Sequence, residues 1–369
     1  GLQVAGLGAP LQLQVEGIQW NRAKGALQVD GMALEHGDTH IAVKHVQLDG
    51  GTFPWLGRHA PRSLTLKEIK GKSGIREVKI KGGSVTLVPP NKDKGEWVPL
   101  PREVRLEGVS LANAGDVFKA KAHRISVGMD QTKWQYALTD APARLVKSID
   151  IQEPIVTLGL MEFGLLEDTA AAVAERKRDE NSLWDEIASS KDALVIPGAS
   201  QFVSELKGRS VSVTRGSLFV HEGNMDTTRG VRLDDLAVTW APAIEGGGIA
   251  SVHALVERDG QRSGRLDLTA DVSRSGSLRS ANGALSGRGL AHVMSHLSEY
   301  VTIAPDAWVK ADFTYKHQRH KGAQHQISGE VRFEDFGFEA WRISHTPVAG
   351  LEGHLRYIGE VDPATRTLS

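Results

Sequence analysis

The chain contains no cysteine among its 369 residues. This absence excludes disulfide bonds, thiolate metal sites and cysteine nucleophiles. Aromatic residues are scarce at 6% of the chain, and the charges nearly cancel, with 44 Lys plus Arg against 45 Asp plus Glu. A net charge of −1 provides no basic field to hold a phosphate backbone, so nucleic acid is not an expected partner.

Long apolar runs are missing as well. No stretch of eighteen apolar residues occurs, which argues against a membrane-spanning helix within this sequence. The chain begins Gly1-Leu2-Gln3-Val4, without an initiator Met or a signal-peptide pattern, and Arg366–Ser369 read as the middle of an alternating strand. We therefore expect a parent protein that continues beyond both ends.

Sequence signatures of catalysis are absent too. There is no G-x-S-x-G elbow, no phosphate-binding loop and no dinucleotide fingerprint. Asp335-Phe336-Gly337 spells the kinase metal-binding motif, but the other kinase motifs are missing and we interpret the match as chance. The acidic pairs Glu167-Asp168, Asp185-Glu186 and Asp234-Asp235 are interpreted as helix-start or turn residues, and nothing near them in the sequence predicts a raised pKa. We expect no catalytic residue, cofactor or metal in this chain.

Short segments with apolar residues at every second position dominate the sequence. This period is typical of strands with one buried and one solvated face. The clearest segments are Leu11-Leu13-Val15, Leu27-Val29, Ile41-Val43, Val46-Leu48, Val78-Ile80, Val85-Leu87 and Val104-Leu106. The expected fold is therefore mainly β with a few helices, built as a long, curved, mostly antiparallel meander sheet.

Five such segments run into a Gly or Pro and continue at once as a second alternating segment. Gly at this point can supply a bulge or a positive φ, so that the strand bends or reverses while its apolar face stays in register. The five are Leu27–Leu34, Val78–Leu87, Val104–Leu111, Ile149–Leu158 and Val211–Val220.

Other stretches interrupt the alternation. The Ala- and Glu-rich residues 167–191 predict one or two helices, residues 201–207 a short helix, and residues 290–297 another. Residues 245–248 and the Ser-, Gly- and Arg-rich run 273–289 are interpreted as loops or hairpin tips. The eight Trp residues are scattered singly, which favours anchors in a core or on a sheet face over stacking platforms.

Histidine offers two weak candidates for chemistry. His292 and His296 have a spacing that can present two imidazoles to one metal ion, but no third ligand is signalled, and we interpret them as surface or half-buried side chains. His317, His320 and His325 lie among Lys and Arg residues, and we interpret them as a solvated basic hairpin tip.

The architecture itself suggests one binding surface. If the meander curls with its apolar face inward, that face becomes a groove that acyl chains could occupy; alternatively, helices or a second sheet fill it, and the sequence favours the filled core. The candidate lining residues are Val78, Ile80, Val85, Leu87, Val211, Val213, Leu218 and Val220.

The repeated pattern of an alternating segment, a Gly or Pro and a second alternating segment resembles the sequences of the AsmA-like family of bacterial envelope proteins. The resemblance rests on segments such as Ile149-Asp150-Ile151-Gln152-Glu153-Pro154-Ile155-Val156-Thr157-Leu158 and Val211-Ser212-Val213-Thr214-Arg215-Gly216-Ser217-Leu218, with Asn181–Ile187 placed like the helix of many members. It implies a curved periplasmic sheet, an inner-membrane anchor upstream of this chain, and a role in phospholipid movement or outer-membrane homeostasis.

A narrower likeness concerns the last third of the chain. Phe336–Val348, followed by Asp362-Pro363-Ala364-Thr365-Arg366, looks like the AsmA-like region that precedes the glycosyltransferase domain of some biosynthetic peptidoglycan transglycosylases. This likeness implies an accessory region of such an enzyme, with its catalytic domain downstream and cell-wall synthesis proteins as partners. No catalytic residue is carried over from it.

Three segments follow from these patterns. Residues 1–165 are predicted to form an N-terminal AsmA-like sheet, residues 166–208 a helical insertion, and residues 209–369 a second β-rich region with a short helix near 290–300. The favoured function is a non-catalytic, periplasmic scaffold or lipid-contacting module in envelope biogenesis. Its expected partners are the membrane, through a lost anchor, and phospholipid.

Overall fold

A computed structural model describes most of the strand-forming sequence. The residues it describes are 2–4, 11–21, 25–49, 62–74, 76–88, 99–113, 118–132, 145–159, 203–204, 206, 208–221, 230–258, 260–289, 302–304, 306–318, 324–340, 344–362 and 367–368.

Apart from short helical turns at residues 131–132, 145 and 203–204, the secondary structure of this part of the chain consists of strands, three of them only two or three residues long. They are β1 (Leu2–Val4), β2 (Leu11–Asn21), β3 (Ala26–His36), β4 (Thr39–Asp49), β5 (Ser63–Ser73), β6 (Arg76–Val88), β7 (Leu100–Asn113), β8 (Phe118–Met129), β9 (Val146–Gln152), β10 (Ile155–Gly159), β11 (Ser210–His221), β12 (Gly230–Pro242), β13 (Gly247–Arg258), β14 (Gln261–Ser273), β15 (Leu278–Arg288), β16 (Thr302–Ile303), β17 (Trp308–Gln318), β18 (Gln324–Ala340), β19 (Ser344–Asp362) and β20 (Thr367–Leu368).

The expected mainly β, antiparallel meander is confirmed, since successive strands pair with one another. The helices predicted at 167–191 and 290–297 lie outside the described residues. In the segment 201–207 only Val203 and Ser204 have helical backbone among the residues described. None of the described residues belongs to a helix with the length and hydropathy needed to cross a bilayer.

The chain divides into two compact units, Gly1–Val156 and Thr157–Ser369. In the first unit, β2 to β9 form an uninterrupted antiparallel ladder in chain order. In the second unit, β11 to β15 continue in chain order, and β17, β18 and β19 follow.

In the first unit the register aligns apolar residues of neighbouring strands on one face. Pairs such as Val29↔Val46 and Leu64↔Val85 lie directly opposite each other. Extending these pairs across the ladder gives four apolar rows, namely Leu13-Leu34-Ile41-Gly71-Val78-Leu111-Ala120, Val15-Met32-Val43-Ile69-Ile80-Val109-Ala122, Ile18-Val29-Val46-Leu66-Gly83-Leu106-Ile125-Ile151 and Trp20-Leu27-Leu48-Leu64-Val85-Val104-Val127-Ile149. The other face carries the polar and charged residues, so the ladder is apolar on one side only.

At one level of the ladder, every strand from β2 to β8 contains a residue that the pairing skips, and these residues form a row across the strands. We call this row the crease; it consists of Glu16, Gly31, Lys44, Glu68, Lys81, Gly108 and His123. Apolar residues are three positions apart where they flank the crease, as in Val43 and Val46, and two apart elsewhere. Because every strand takes its extra residue at the same level, the apolar face is kept on both sides of the crease.

The backbone conformation at the crease alternates between strands. Gly31, Glu68 and Gly108, on β3, β5 and β7, have φ values of 57°, 52° and 58°. Glu153, directly after β9, has φ 51°. On the intervening strands β2, β4 and β6 the crease residue is Glu16, Lys44 or Lys81, and a Cβ at Gly108 would lie 2.7 Å from Lys81 Cδ. Glycine at this position therefore provides both the positive φ and the room for the neighbouring side chain.

The second unit has a core of larger side chains on its apolar face. Trp240 and Tyr315 are each 4% exposed and pack with Val203, Ala270, Val272 and Ala281. Glycines lie directly opposite aromatic residues on neighbouring strands, in the pairs Gly283↔Phe313, Gly329↔Tyr357 and Phe333↔Gly353. A Cβ at Gly283 would lie 2.3 Å from the Phe313 ring, so each ring occupies the space that a side chain on the neighbouring strand would need.

Two sequence interpretations meet different outcomes here. Residues around Glu245 do form the β12–β13 hairpin tip, where the Ala243 N–H donates to Gly247 O. The interpretation of 273–289 as a loop is wrong beyond the tip, because Leu278–Arg288 is the paired strand β15. Its small residues Ala281 and Gly283 lie opposite Tyr315 and Phe313, and their size lets the two rings pack closely against β15. Because these positions are small, the sequence of β15 lacks the alternation of large apolar residues that predicts a strand.

A Gly108→Ala substitution should destabilise the first unit. An L-residue pays about 1–2 kcal/mol in the left-handed region, and here the added Cβ also displaces Lys81. The matched control is Gly71→Ala on β5, where the new Cβ would meet Val78 Cβ at 3.9 Å. This control should be neutral or stabilising, by up to about 1 kcal/mol. Urea unfolding of both variants measures the difference, and equal stabilities would contradict the role of the crease.

Candidate functional site

The apolar face of the first unit is a candidate contact surface because its side chains are only partly covered. Val15 is 40% exposed and Ile18 is 66% exposed, while Val43 in the middle of the ladder is 5% exposed. Most of the remaining residues of the four rows are half-buried. Partly exposed apolar side chains in a continuous array mark an interaction surface more often than isolated ones do.

The size of this face follows from strand geometry. Seven strands, β2 to β8, at a spacing of about 4.8 Å span about 29 Å across the ladder. Along each strand the four apolar positions cover seven residue steps, or about 23 Å. One leaflet of a bilayer has about 15 Å of hydrocarbon, so the face is large enough for acyl chains lying against it.

Four predicted groove residues lie on this face. Val78 and Ile80 stand on one side of the crease in β6, and Val85 and Leu87 on the other. All four are half-buried. Val78 lies opposite Leu111 and Ile80 opposite Val109, so the structure places them next to further apolar residues that belong to the same face.

The other four predicted groove residues lie on β11 in the second unit. Val211, Val213, Leu218 and Val220 are also half-buried. Val211 lies opposite the buried Trp240 and packs against the core cluster of that unit. At Val211 the apolar face is therefore filled by the side chains of its own unit.

The polar side of the crease carries ion pairs. Lys44 Nζ lies 2.9 Å from Glu68 Oε1, with both side chains more than half exposed. The hydrogen bond from Lys44 lowers the pKa of the Glu68 carboxyl. Glu68 is thus held as a carboxylate on the solvated face, opposite the apolar rows.

A second candidate site is a groove of about 680 Å³ on the second unit. Two rows of side chains line it, formed by directly paired residues of β14, β15, β17, β18 and β19. The rows are Asp267-Ala284-Asp312-Glu330-Arg356 and Thr269-Asn282-Thr314-Ser328-Ile358. The residues between them, among them Leu268 and Phe313, belong to the apolar face, so the floor is strand backbone and the groove lies on the polar face.

The charges along this groove are balanced. Asp267 Oδ1 lies 2.6 Å from His253 Nδ1, and Asp267 Oδ2 lies 3.3 Å from Arg265 Nε. Glu330 Oε1 lies 2.9 Å from Arg332 and 3.0 Å from His354 Nε2. The hydrogen bond from Arg332, with His354 nearby, lowers the pKa of Glu330. Asp312 has no hydrogen-bond or ion-pair partner among the described residues and is open to a ligand.

This groove was not predicted from the sequence. Its polar residues alternate within their strands, but their grouping depends on the register of five strands. One of these is β15, whose sequence we interpreted as a loop. The sequence signals available are the hydrophilic Ser328 and Glu330 that flank Gly329 and the Asn282 that precedes Gly283, and cross-strand register cannot be read from them.

The histidines at the β17–β18 hairpin correct another interpretation. His325 is 5% exposed and Tyr315 Oη lies 2.9 Å from its Nδ1, while its Nε2 is buried without a hydrogen-bond partner. His317 is half-buried, with its ring 5.0 Å from that of His325. These two side chains follow Tyr315 on the apolar face and do not form a solvated basic tip; His320 lies outside the described residues, as do His292 and His296.

One acidic pair also differs from its interpretation. Asp234 lies within β12 and accepts a hydrogen bond from Arg232 at 2.8 Å. A hydrogen bond shared with Asp234 raises the pKa of Glu257 on the neighbouring strand. Burial raises the pKa of Asp234, but hydrogen bonds from Glu257, Ser217 and Arg232 outweigh burial and lower it. The interpretation as a helix-start or turn residue is wrong for Asp234, because it lies within β12, which brings it beside a carboxyl 23 residues away in the sequence.

Metal ligation has no support in the described ranges, where no three His, Asp or Glu side chains are grouped to hold an ion. Glu167-Asp168 and Asp185-Glu186 lie outside those ranges.

Among protein-family models and curated protein sequences, none matches this chain.

Stability should fall below neutral pH because of His325. Burial, together with the nearby His317, lowers the pKa of His325 in the folded protein. The unfolded chain, with an ordinary pKa of about 6.5, therefore binds more protons between the two pKa values. The stabilisation is complete above about pH 6.5 and is lost progressively as the pH falls from there through the lowered pKa of His325 in the folded protein.

Urea unfolding at about pH 7.5 and about pH 5.5 measures this loss. The variant His325→Phe, which cannot titrate, should show a smaller drop between the two pH values than the unsubstituted chain. The exposed His253 is the matched control, and His253→Gln should leave the drop that is caused by His325 in place. Equal drops in His325→Phe and the unsubstituted chain would contradict this assignment.

Proposed function

We propose that this chain is a non-catalytic, AsmA-like module of a cell-envelope protein whose apolar sheet face contacts phospholipid acyl chains. The observation that carries the proposal is the set of four continuous apolar rows across β2 to β8. These rows are half-buried and contain exposed members such as Ile18. Acyl chains are a suitable occupant because they need no hydrogen bonds from the surface that holds them.

The chemistry of the face supports this occupant. Its side chains are aliphatic apart from Trp20, Met32 and the glycines of the rows, and burying an exposed aliphatic side chain contributes about 1.5–3 kcal/mol. Charged residues lie on the opposite face, as Lys79 and Lys81 do beside Ile80. A phospholipid could thus lay its chains on the rows while its headgroup stays at a solvated edge.

The cellular setting belongs to the same proposal. The resemblance to AsmA-like proteins favours a periplasmic location, an inner-membrane anchor in the parent protein and phospholipid as the partner. In this setting the chain would act as a scaffold or a lipid-contacting surface in envelope biogenesis. Catalysis is not part of the proposed role.

Photo-crosslinking tests the occupant of the face. A photoreactive amino acid at Val78 or Ile80 should capture phospholipid when the protein is expressed in a Gram-negative periplasm, and mass spectrometry identifies the adduct. The same group at Lys79, between them on the polar face, is the matched control and should capture none. Adducts to protein alone at Val78 and Ile80 would mean that the face is a filled core and would overturn the proposal.

A charged substitution on the face should reduce co-purifying lipid. A charge in hydrocarbon costs about 2.5–3.5 kcal/mol, so Ile80→Lys should lower the lipid recovered per protein by about tenfold or more. Ser84→Lys adds the same charge to the polar face of the same strand and should leave recovery unchanged. Circular dichroism of both variants checks that the sheet has formed, and equal lipid recovery would count against the contact.

A further inference from the structure

The groove on the polar face of the second unit has the dimensions of a site for an extended ligand. Its two lining rows are separated by one residue of each strand, which places them about 7 Å apart. Across β14, β15, β17, β18 and β19 the groove runs for about 19 Å. A volume of about 680 Å³ lies within the range of ligand pockets.

The charge balance of the groove argues against an ionic ligand. Each of Asp267 and Glu330 already has an arginine and a histidine beside it, and Arg356 continues the same row. Three carboxylates and three guanidinium groups, from Arg265, Arg332 and Arg356, leave no excess of either sign. A polycation or a polyanion would gain little here over water.

The hydrogen-bonding groups favour a ligand rich in hydroxyls. One wall presents Thr269, Asn282, Thr314 and Ser328, and the other presents the unpartnered carboxylate of Asp312. The hydroxyls and the amide both donate and accept hydrogen bonds, as sugar hydroxyls do, and the carboxylate accepts them from sugar hydroxyls. An extended peptide fits less well, because peptides are recognised through free strand edges, and β15, β17 and β18 are paired on both sides.

We propose that this groove binds a neutral oligosaccharide, with Asp312 and Asn282 as its central hydrogen-bonding residues. Asp312 and Asn282 lie on adjacent strands, β17 and β15, and in different rows, so one sugar unit across the groove can reach both. The site is on the polar face and in the second unit, and it does not depend on the lipid contact proposed for the first unit.

Isothermal titration calorimetry of the whole chain with cellohexaose, maltohexaose and hexa-N-acetylchitohexaose, all of them uncharged, tests the site. At least one of the three should bind with a Kd below about 1 mM. Asp312→Ala should weaken that binding by about tenfold, because hydrogen bonds to a charged group contribute more than neutral ones, and Asn282→Ala by about threefold. Ser280→Ala, on β15 but outside the groove lining, is the matched control and should bind like the unsubstituted chain.

Three results would overturn the proposal. The first is that none of the three oligosaccharides binds at about 10 mM. The second is that binding is the same in Asp312→Ala as in the unsubstituted chain. The third is that spermidine binds more tightly than all three, which would make the groove a cation site. Lipid recovery from the same preparations reports separately on the first unit, so the two proposals can fail independently.

Discussion

One constraint governs the first unit of this protein. Each strand must keep its apolar residues on one face although, midway along the strand, two of them are three positions apart instead of two. In the first unit the solution is the crease, where every strand from β2 to β8 sets one residue aside at the same level. Had one strand omitted this residue, half of its apolar side chains would turn to the polar face. The apolar rows, and any ligand that lies on them, depend on this shared level.

The two units use their apolar faces differently. The first unit aligns mid-sized aliphatic residues, which stay half-buried, and its polar face carries ion pairs such as Lys44–Glu68. The second unit alternates glycine with aromatic residues across strands, and Trp240 and Tyr315 are buried among small neighbours. Its accessible concave site is on the polar side, where the strands present hydroxyl, amide and carboxylate groups.

Two-residue periodicity was sufficient to predict a mainly β, antiparallel meander. The segments in which Gly separates two alternating strands also identified Gly31 and Gly108 correctly as residues of positive φ. Sequence could not identify Glu68, Arg215, Asp235 or Asp335, which adopt the same backbone conformation without being glycine, because the pairing of neighbouring strands imposes it. β15 was missed since its side chains are small, and its partners' rings supply the bulk. The polar groove and the buried His325 depend on cross-strand register, which no local pattern encodes. The eight residues predicted to line a groove lie on apolar faces in the structure. One of them, Val211, packs against the core of the second unit.

The left-handed residues of the crease occur on β3, β5 and β7 and not on the strands between them. The smallest element that reproduces this alternation is therefore a hairpin with a left-handed residue on one strand and none at the same level of the other. A ladder of this kind can be lengthened or shortened by whole hairpins without disturbing the crease. Gain or loss of a single strand within the ladder would place two strands of the same kind side by side, both with a left-handed residue or both without one. Evolution by duplication in steps of two strands is the route that this geometry leaves open.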